Sequence, residues 1–171
     1  MNGRRSFLTT LSLGGLWAAT GCNYSFRSGS FPEHIRSVAI LPFDNDTTRF
    51  ELTQEIHEQL LRDLPRALGI TNAGEDVADA IVRGTITRYN LSTPLFRPGA
   101  QRNQVDVLQR QVSVSISVEF IDVASNEILW DDPSLSVQGQ YLEESESEDD
   151  GRAEAIELLV QRIVDGAQSN W

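Results

Sequence analysis

Five apolar residues alternate with five polar ones between Gln111 and Phe120. Val112, Val114, Ile116, Val118 and Phe120 occupy one parity, and Gln111, Ser113, Ser115, Ser117 and Glu119 the other. A strand points successive side chains to opposite faces, so this segment predicts a strand with one core face and one polar face. Other segments follow the same logic. Ile35 to Phe43 predicts a first strand, and its run Val38-Ala39-Ile40-Leu41 predicts cover on both faces. Ala80 to Tyr89 predicts a strand with Ala80, Val82, Gly84 and Ile86 on one side. Ile128 to Trp130, resuming at Leu135, Val137, Gly139 and Tyr141, predicts a last strand with a bulge or break at Pro133.

Two segments change period. Leu52, Ile56, Leu60, Leu64 and Leu68 recur every four residues, with Leu61 widening the stripe, and predict an amphipathic helix. Thr48 and Glu51 fit a capping box at its start. Pro65 lacks an N–H and predicts a kink or end near Leu64, with Gly69 as a stop. Ile156, Leu159, Val160 and Ile163 predict a second helix over roughly residues 151–168. Between them, Pro94, Pro98 and Gly99 predict a long exposed hairpin connection over 91–108. The order β-α-β-β-β-α predicts an α+β two-layer sandwich. It would have about four strands, mainly antiparallel, with both helices on one face.

The first residues read differently. Arg4 and Arg5 precede an apolar run from Phe7 to Ala19, too short for a permanent membrane span. Ala18, Ala19, Thr20 and Gly21 then lead to Cys22, the only cysteine. This resembles a bacterial lipobox with cleavage before Cys22 and a diacylglycerol on its thiol, although Ala19 replaces the usual leucine. The alternative is a thiol behind an ordinary signal peptide. Arg4-Arg5-Ser6-Phe7-Leu8 also resembles a twin-arginine export signal. The organisation expected is therefore a cleaved signal peptide (1–21), an acylated tether (22–33) and a single α+β domain (34–171). Asn23 after the cysteine resembles the sorting pattern that permits transfer to the outer membrane.

Charge narrows the function. All 14 basic residues are arginine against 25 acids, and cleavage would move the formal net charge from −11 to −13. So acidic a chain excludes nucleic acid as a natural partner. One window departs from this. Arg83, Arg88, Arg97, Arg102 and Arg110 share their stretch with one acid, Asp106. Arginine forks suit phosphate and carboxylate. By contrast, 143–150 holds six acids, reads as a solvated loop, and lacks the spacing and central glycine of an EF-hand. His34 and His57 stand without metal-ligand spacing, and no GxSxG, SxxK or phosphate loop occurs. Neither enzyme chemistry nor a cofactor or metal is expected.

Several pieces together resemble the LptE family of lipopolysaccharide-assembly lipoproteins. They are Cys22-Asn23-Tyr24-Ser25-Phe26, Ser37-Val38-Ala39-Ile40-Leu41-Pro42-Phe43-Asp44-Asn45, Ala80-Ile81-Val82-Arg83-Gly84-Thr85-Ile86 and Phe120-Ile121-Asp122 with Glu127-Ile128-Leu129-Trp130. The resemblance implies a non-enzymatic plug and assembly partner of an LptD-type β-barrel. It would sit on the periplasmic side of the outer membrane, anchored by lipid. It also implies lipopolysaccharide contact through basic side chains, for which Arg88, Arg97 and Arg102 are the candidates. The chain's net charge opposes that contact everywhere else. Parts of the same segments, Val38 to Asn45 with Gly84 and Ile128-Leu129, resemble CsgG-like and LpoB-like lipoproteins as well. Those imply a secretion ring or a cell-wall-synthase regulator instead.

Acyl chains contribute about 0.8 kcal/mol per buried CH₂, so two or more hold a protein on a membrane. Cys22→Ala is expected to release the protein from membranes in a carbonate-wash fractionation. Carbonate-resistant association of that variant would exclude acylation as the anchor.

Overall fold

Burial follows the alternation of the sequence. In the computed structural model, which describes residues 32–98 and 105–169, Val112, Val114, Ile116, Val118 and Phe120 are all buried. The intervening polar residues are half-exposed. The described elements are β1 (Ser37–Ile40), β2 (Asp44–Asn45), α1 (Glu51–Leu68), β3 (Thr71–Asn72), β4 (Ala80–Pro98), β5 (Val105–Asp122), β6 (Glu127–Leu142) and α2 (Glu148–Ser169).

The class is α+β with two helices, but the sheet is not the four-stranded, mainly antiparallel one that the pattern predicts. It has six strands and is mixed. The path runs β3-β1-β4-β5-β6, with β2 pairing farther along β4. β4, β5 and β6 form the expected antiparallel meander. β1 lies parallel to both β3 and β4, and β2 is parallel to β4. The cause is α1, whose crossover returns the chain in the direction in which β1 began. Strands of two residues carry no period, so β2 and β3 leave no trace in the sequence.

α1 buries Leu52, Ile56, Leu60 and Leu64 as its stripe predicts. Burial of each such side chain contributes about 1.5–3 kcal/mol. Its start departs from expectation. No capping box forms: Phe50 holds the N-cap position without a side-chain cap bond. The turn is organised one step earlier, where Asn45 Oδ1 accepts the Thr47 N–H (2.9 Å) and hydroxyl (2.7 Å). Thr47 Oγ1 in turn accepts the Arg49 N–H at 3.1 Å. At the other end Pro65 does not stop the helix, which continues to Leu68, before the predicted stop at Gly69. Pro65 cannot donate to the Leu61 carbonyl one turn back, and the Asn72 amide of β3 donates to that carbonyl instead, at 2.9 Å. Gly69 then closes the helix in the left-handed conformation, φ 71°.

The expected connection over 91–108 is largely strand. β4 and β5 stay paired as far as Pro98 and Val105, with register shifts on either side of Leu95, beside Pro94. In β6 the register shifts between Asp132 and Leu135, so Pro133 marks a bulge as predicted. The acidic run is only half loop. Glu148, Asp149 and Asp150 make the first turn of α2, where the helix dipole favours acids. Ser147 caps this turn. Its N–H donates to Asp150 Oδ2 (2.8 Å), and its Oγ accepts the Asp150 N–H (3.4 Å).

α2 lies directly against β6 because glycines let it. A Cβ on Gly139 would overlap the Gly151 carbonyl and reach within 2.7 Å of the Ala155 nitrogen. A Cβ on Gly166 would collide with the Trp130 indole. Both obstacles to Gly139 are backbone and cannot rotate away. Gly139→Val is therefore expected to lower stability by about 1–3 kcal/mol, the usual range for overpacking. A reduced urea midpoint would show it, and an unchanged midpoint would place the helix farther from the strand.

Candidate partner-binding surface

The two helices cover one face of the sheet, and no described helix packs on the other. That open face carries the polar parity of β5. Strand register aligns Ser115 with Arg88 of β4 and Ser136 of β6, and the two serine hydroxyls lie 3.1 Å apart. One end of the face is apolar, with Ala39, Ile81, Ile121 and Ile128 in register across four strands. At the other end the β4–β5 ribbon runs past Leu142, the last residue of β6, and Leu95 and Leu142, aligned there through Gln109, remain exposed.

The arginine window is less positive than its sequence. Arg83 is bound to Glu119, with N–O distances of 2.8 and 2.7 Å. Arg110 grips Glu143 with two nitrogens, one of them at 3.1 Å. Both carboxylates come from outside the window. Arg88 is exposed on the open face and makes no ion pair with a described residue. Arg97 lies on β4 with its backbone opposite Asp106. Arg102 and Cys22 fall outside the described residues.

A polar cluster behind the open face was not expected from sequence. Arg152 is buried, and its guanidinium forks onto Glu55 at 2.8 and 3.0 Å while also reaching Asp149 at 2.9 Å. The Tyr89 hydroxyl donates to Glu148 at 2.7 Å, and Arg49 donates to the same oxygen at 2.6 Å. Arg49 also stands 5.2 Å over the Tyr89 ring, in cation–π range. Burial, then the hydrogen bond to Glu148, pushes the Tyr89 phenol up to about 12. The bond to Glu55 holds the proton on Arg152 more tightly than on a free arginine. Neither group changes charge near neutrality, so the cluster is a fixed brace between α1, α2 and β4. Its one signal in sequence is Arg152 itself, which precedes Ile156 by four and so interrupts the apolar stripe of α2.

The described chain just before β1 is also fixed. His34 Nε2 lies 2.7 Å from Asp122 Oδ2, and Asp122 accepts the Ala124 N–H at 2.8 Å. The His34 bond and these backbone donors hold the Asp122 carboxyl below the usual carboxylate range. Asp79 accepts from the Arg36 and Ser37 N–H groups and is lowered likewise. His57, on α1, is half-buried with Nδ1 enclosed and without a hydrogen bond. The described residues contain no group of three or more His, Cys, Asp or Glu able to hold a metal.

Several solved structures share this fold. The chain is similar to the PelC dodecamer from Paraburkholderia phytofirmans at 16% identity and TM-score 0.52, covering 83% of this chain and 96% of that one. It is similar to the hypothetical protein CT253 from Chlamydia trachomatis at 14% identity and TM-score 0.53, covering 78% and 98%. Protein XCC0632 from Xanthomonas campestris is 8% identical at TM-score 0.53, covering 82% and 88%. At such identities the likeness is one of fold. No curated protein matches the sequence. The family model described as "LptE: Lipopolysaccharide-assembly" matches residues 35–166, most of the chain and nearly all of the described domain. The protein belongs to the LptE lipopolysaccharide-assembly family.

Proposed function

We propose that the protein is a non-enzymatic outer-membrane lipoprotein, anchored through Cys22, that plugs and helps assemble an LptD-type β-barrel in lipopolysaccharide transport. Family membership carries this reading. The uncovered polar sheet face supports it, because the lumen of a large outer-membrane barrel is polar. The β4–β5 ribbon that runs past β6, with exposed Leu95 and Leu142 at its base, supports it too, since a two-stranded ribbon is only marginally stable without a surface to pack on. The rival CsgG-like or LpoB-like role would need a self-assembled ring or a cell-wall synthase. A crosslink and pull-down on the native acylated protein separates the two. One large β-barrel in equal amount is expected. A peptidoglycan synthase, or only further copies of the chain, would overturn the plug reading.

The lipopolysaccharide contact of this reading falls to Arg88, Arg97 and Arg102. Arg88 lies on the open face without an ion pair to a described residue, Arg97 lies on β4, and Arg102 falls outside the described residues. Charge reversal at all three is expected to weaken lipopolysaccharide binding, and more so at low salt, where charges act over longer range. Unchanged binding in a titration with purified lipopolysaccharide would remove these residues from the site.

A further inference from the structure

β6 is an edge of the sheet, and its outer side is only partly closed. The Gln140 N–H donates to Glu154 Oε2 and the Leu142 N–H to Glu146 Oε2, both at 2.6 Å. These donors point away from β5. Antiparallel pairing alternates, so the main-chain groups of Ser136 and Gln138 point outward as well. No described residue donates to or accepts from them there. Against this stretch lies a groove of about 240 Å³, walled by Ser136, Val137 and Gln138 of β6 and by Leu158 and Arg162 of α2. Leu158 is 42% exposed. Arg162 is exposed and makes no ion pair with a described residue, in a chain whose net charge is −11.

We propose that this groove receives an extended segment of the partner chain, added as a further strand on β6 between Ser136 and Gln138. Strand addition takes its affinity from main-chain hydrogen bonds and its specificity from alternate side chains. The segment would set an apolar side chain on Leu158 and a carboxylate on Arg162. Its reach is bounded. The Pro133 bulge with Asp131 and Asp132 closes one side, as guarded edges do, and the Glu154 and Glu146 carboxylates cap the other. A second copy of the chain is the poorer occupant. Symmetric pairing about Val137 would set Asp131 against Glu143 between two acidic chains.

The identity of the partner rests on the plug reading, but the groove can be tested apart from it. Proline at 138 removes an outward N–H that β5 does not use, so Gln138→Pro should fold. Arg162→Glu changes only the exposed wall and serves where the proline variant does not fold. Gln138→Pro is expected to lower barrel recovery from the native acylated protein about tenfold, the worth of one lost main-chain bond, and Arg162→Glu about as much by setting like charges against each other. Normal recovery with both variants would overturn strand addition and leave the plug reading standing. If wild type recovers no barrel, the plug reading falls, and a photo-reactive residue at 138 decides the groove. Adducts mapping to one defined acidic peptide, lost with Arg162→Glu, would uphold it. Adducts with no defined peptide, or none at all, would overturn it.

Discussion

The backbone contact between Gly139 and Gly151 places everything else in the α2 layer. With no Cβ on either residue, the helix meets the strand main chain to main chain. That distance sets which α2 side chains reach which neighbours. Arg152 falls toward α1 and forks onto Glu55. Glu154 falls on the β6 edge and takes the Gln140 N–H. Leu158 and Arg162, one and two turns farther, form the outer wall of the groove. A larger residue at 139 would lift the helix and loosen the brace, the edge cap and the groove wall together, because they share one rigid element.

The acidity of the chain also reads differently in the fold. Many of its carboxylates are not free surface charge. Glu119 and Glu143 neutralise Arg83 and Arg110. Glu55 and Glu148 anchor the brace, and Glu146 and Glu154 occupy donors on a strand edge. A hydrogen bond to a charged group contributes about 1.5–3 kcal/mol where it is shielded from water, and pairs as exposed as Arg83–Glu119 contribute far less. The shielded bonds therefore define geometry, and the exposed pairs mostly cancel field. Of the window arginines whose side chains are described, Arg88 is the one left after this cancellation.

How much of this the sequence shows depends on range. Period-2 and period-4 patterns are local, so the core faces of β4 and β5 and the stripes of both helices are legible residue by residue. Gly69 and Pro133 are legible for the same reason, since each acts on its own backbone. Direction is not local. β1 becomes parallel to β4 only because α1 carries the chain back across the sheet, and no residue of β1 records that. Pro65 misleads because its defect is mended from β3, by Asn72, eleven residues from the carbonyl it serves. The brace is farther still, with Glu55 and Arg152 separated by 97 positions. Glycines at 139 and 151 read as weak points in a strand and a helix until the two elements are seen to touch.

Length gives the last constraint. β4 has 19 residues, about 60 Å at the rise of a strand. α2 has 22 residues, about 33 Å at the rise of a helix. A sheet whose strands outrun its helices cannot be covered along its whole length by its own layer. Toward the far end of β4 exposure rises, and Leu95 is 48% exposed. An edge left unpaired in the middle of β6 and a ribbon left unpacked at its end are separate costs within one sheet. A surrounding wall of strands would relieve both, with main-chain groups for the edge and side chains for the ribbon. A flat membrane surface would supply neither, because lipid offers no ladder of donors and acceptors.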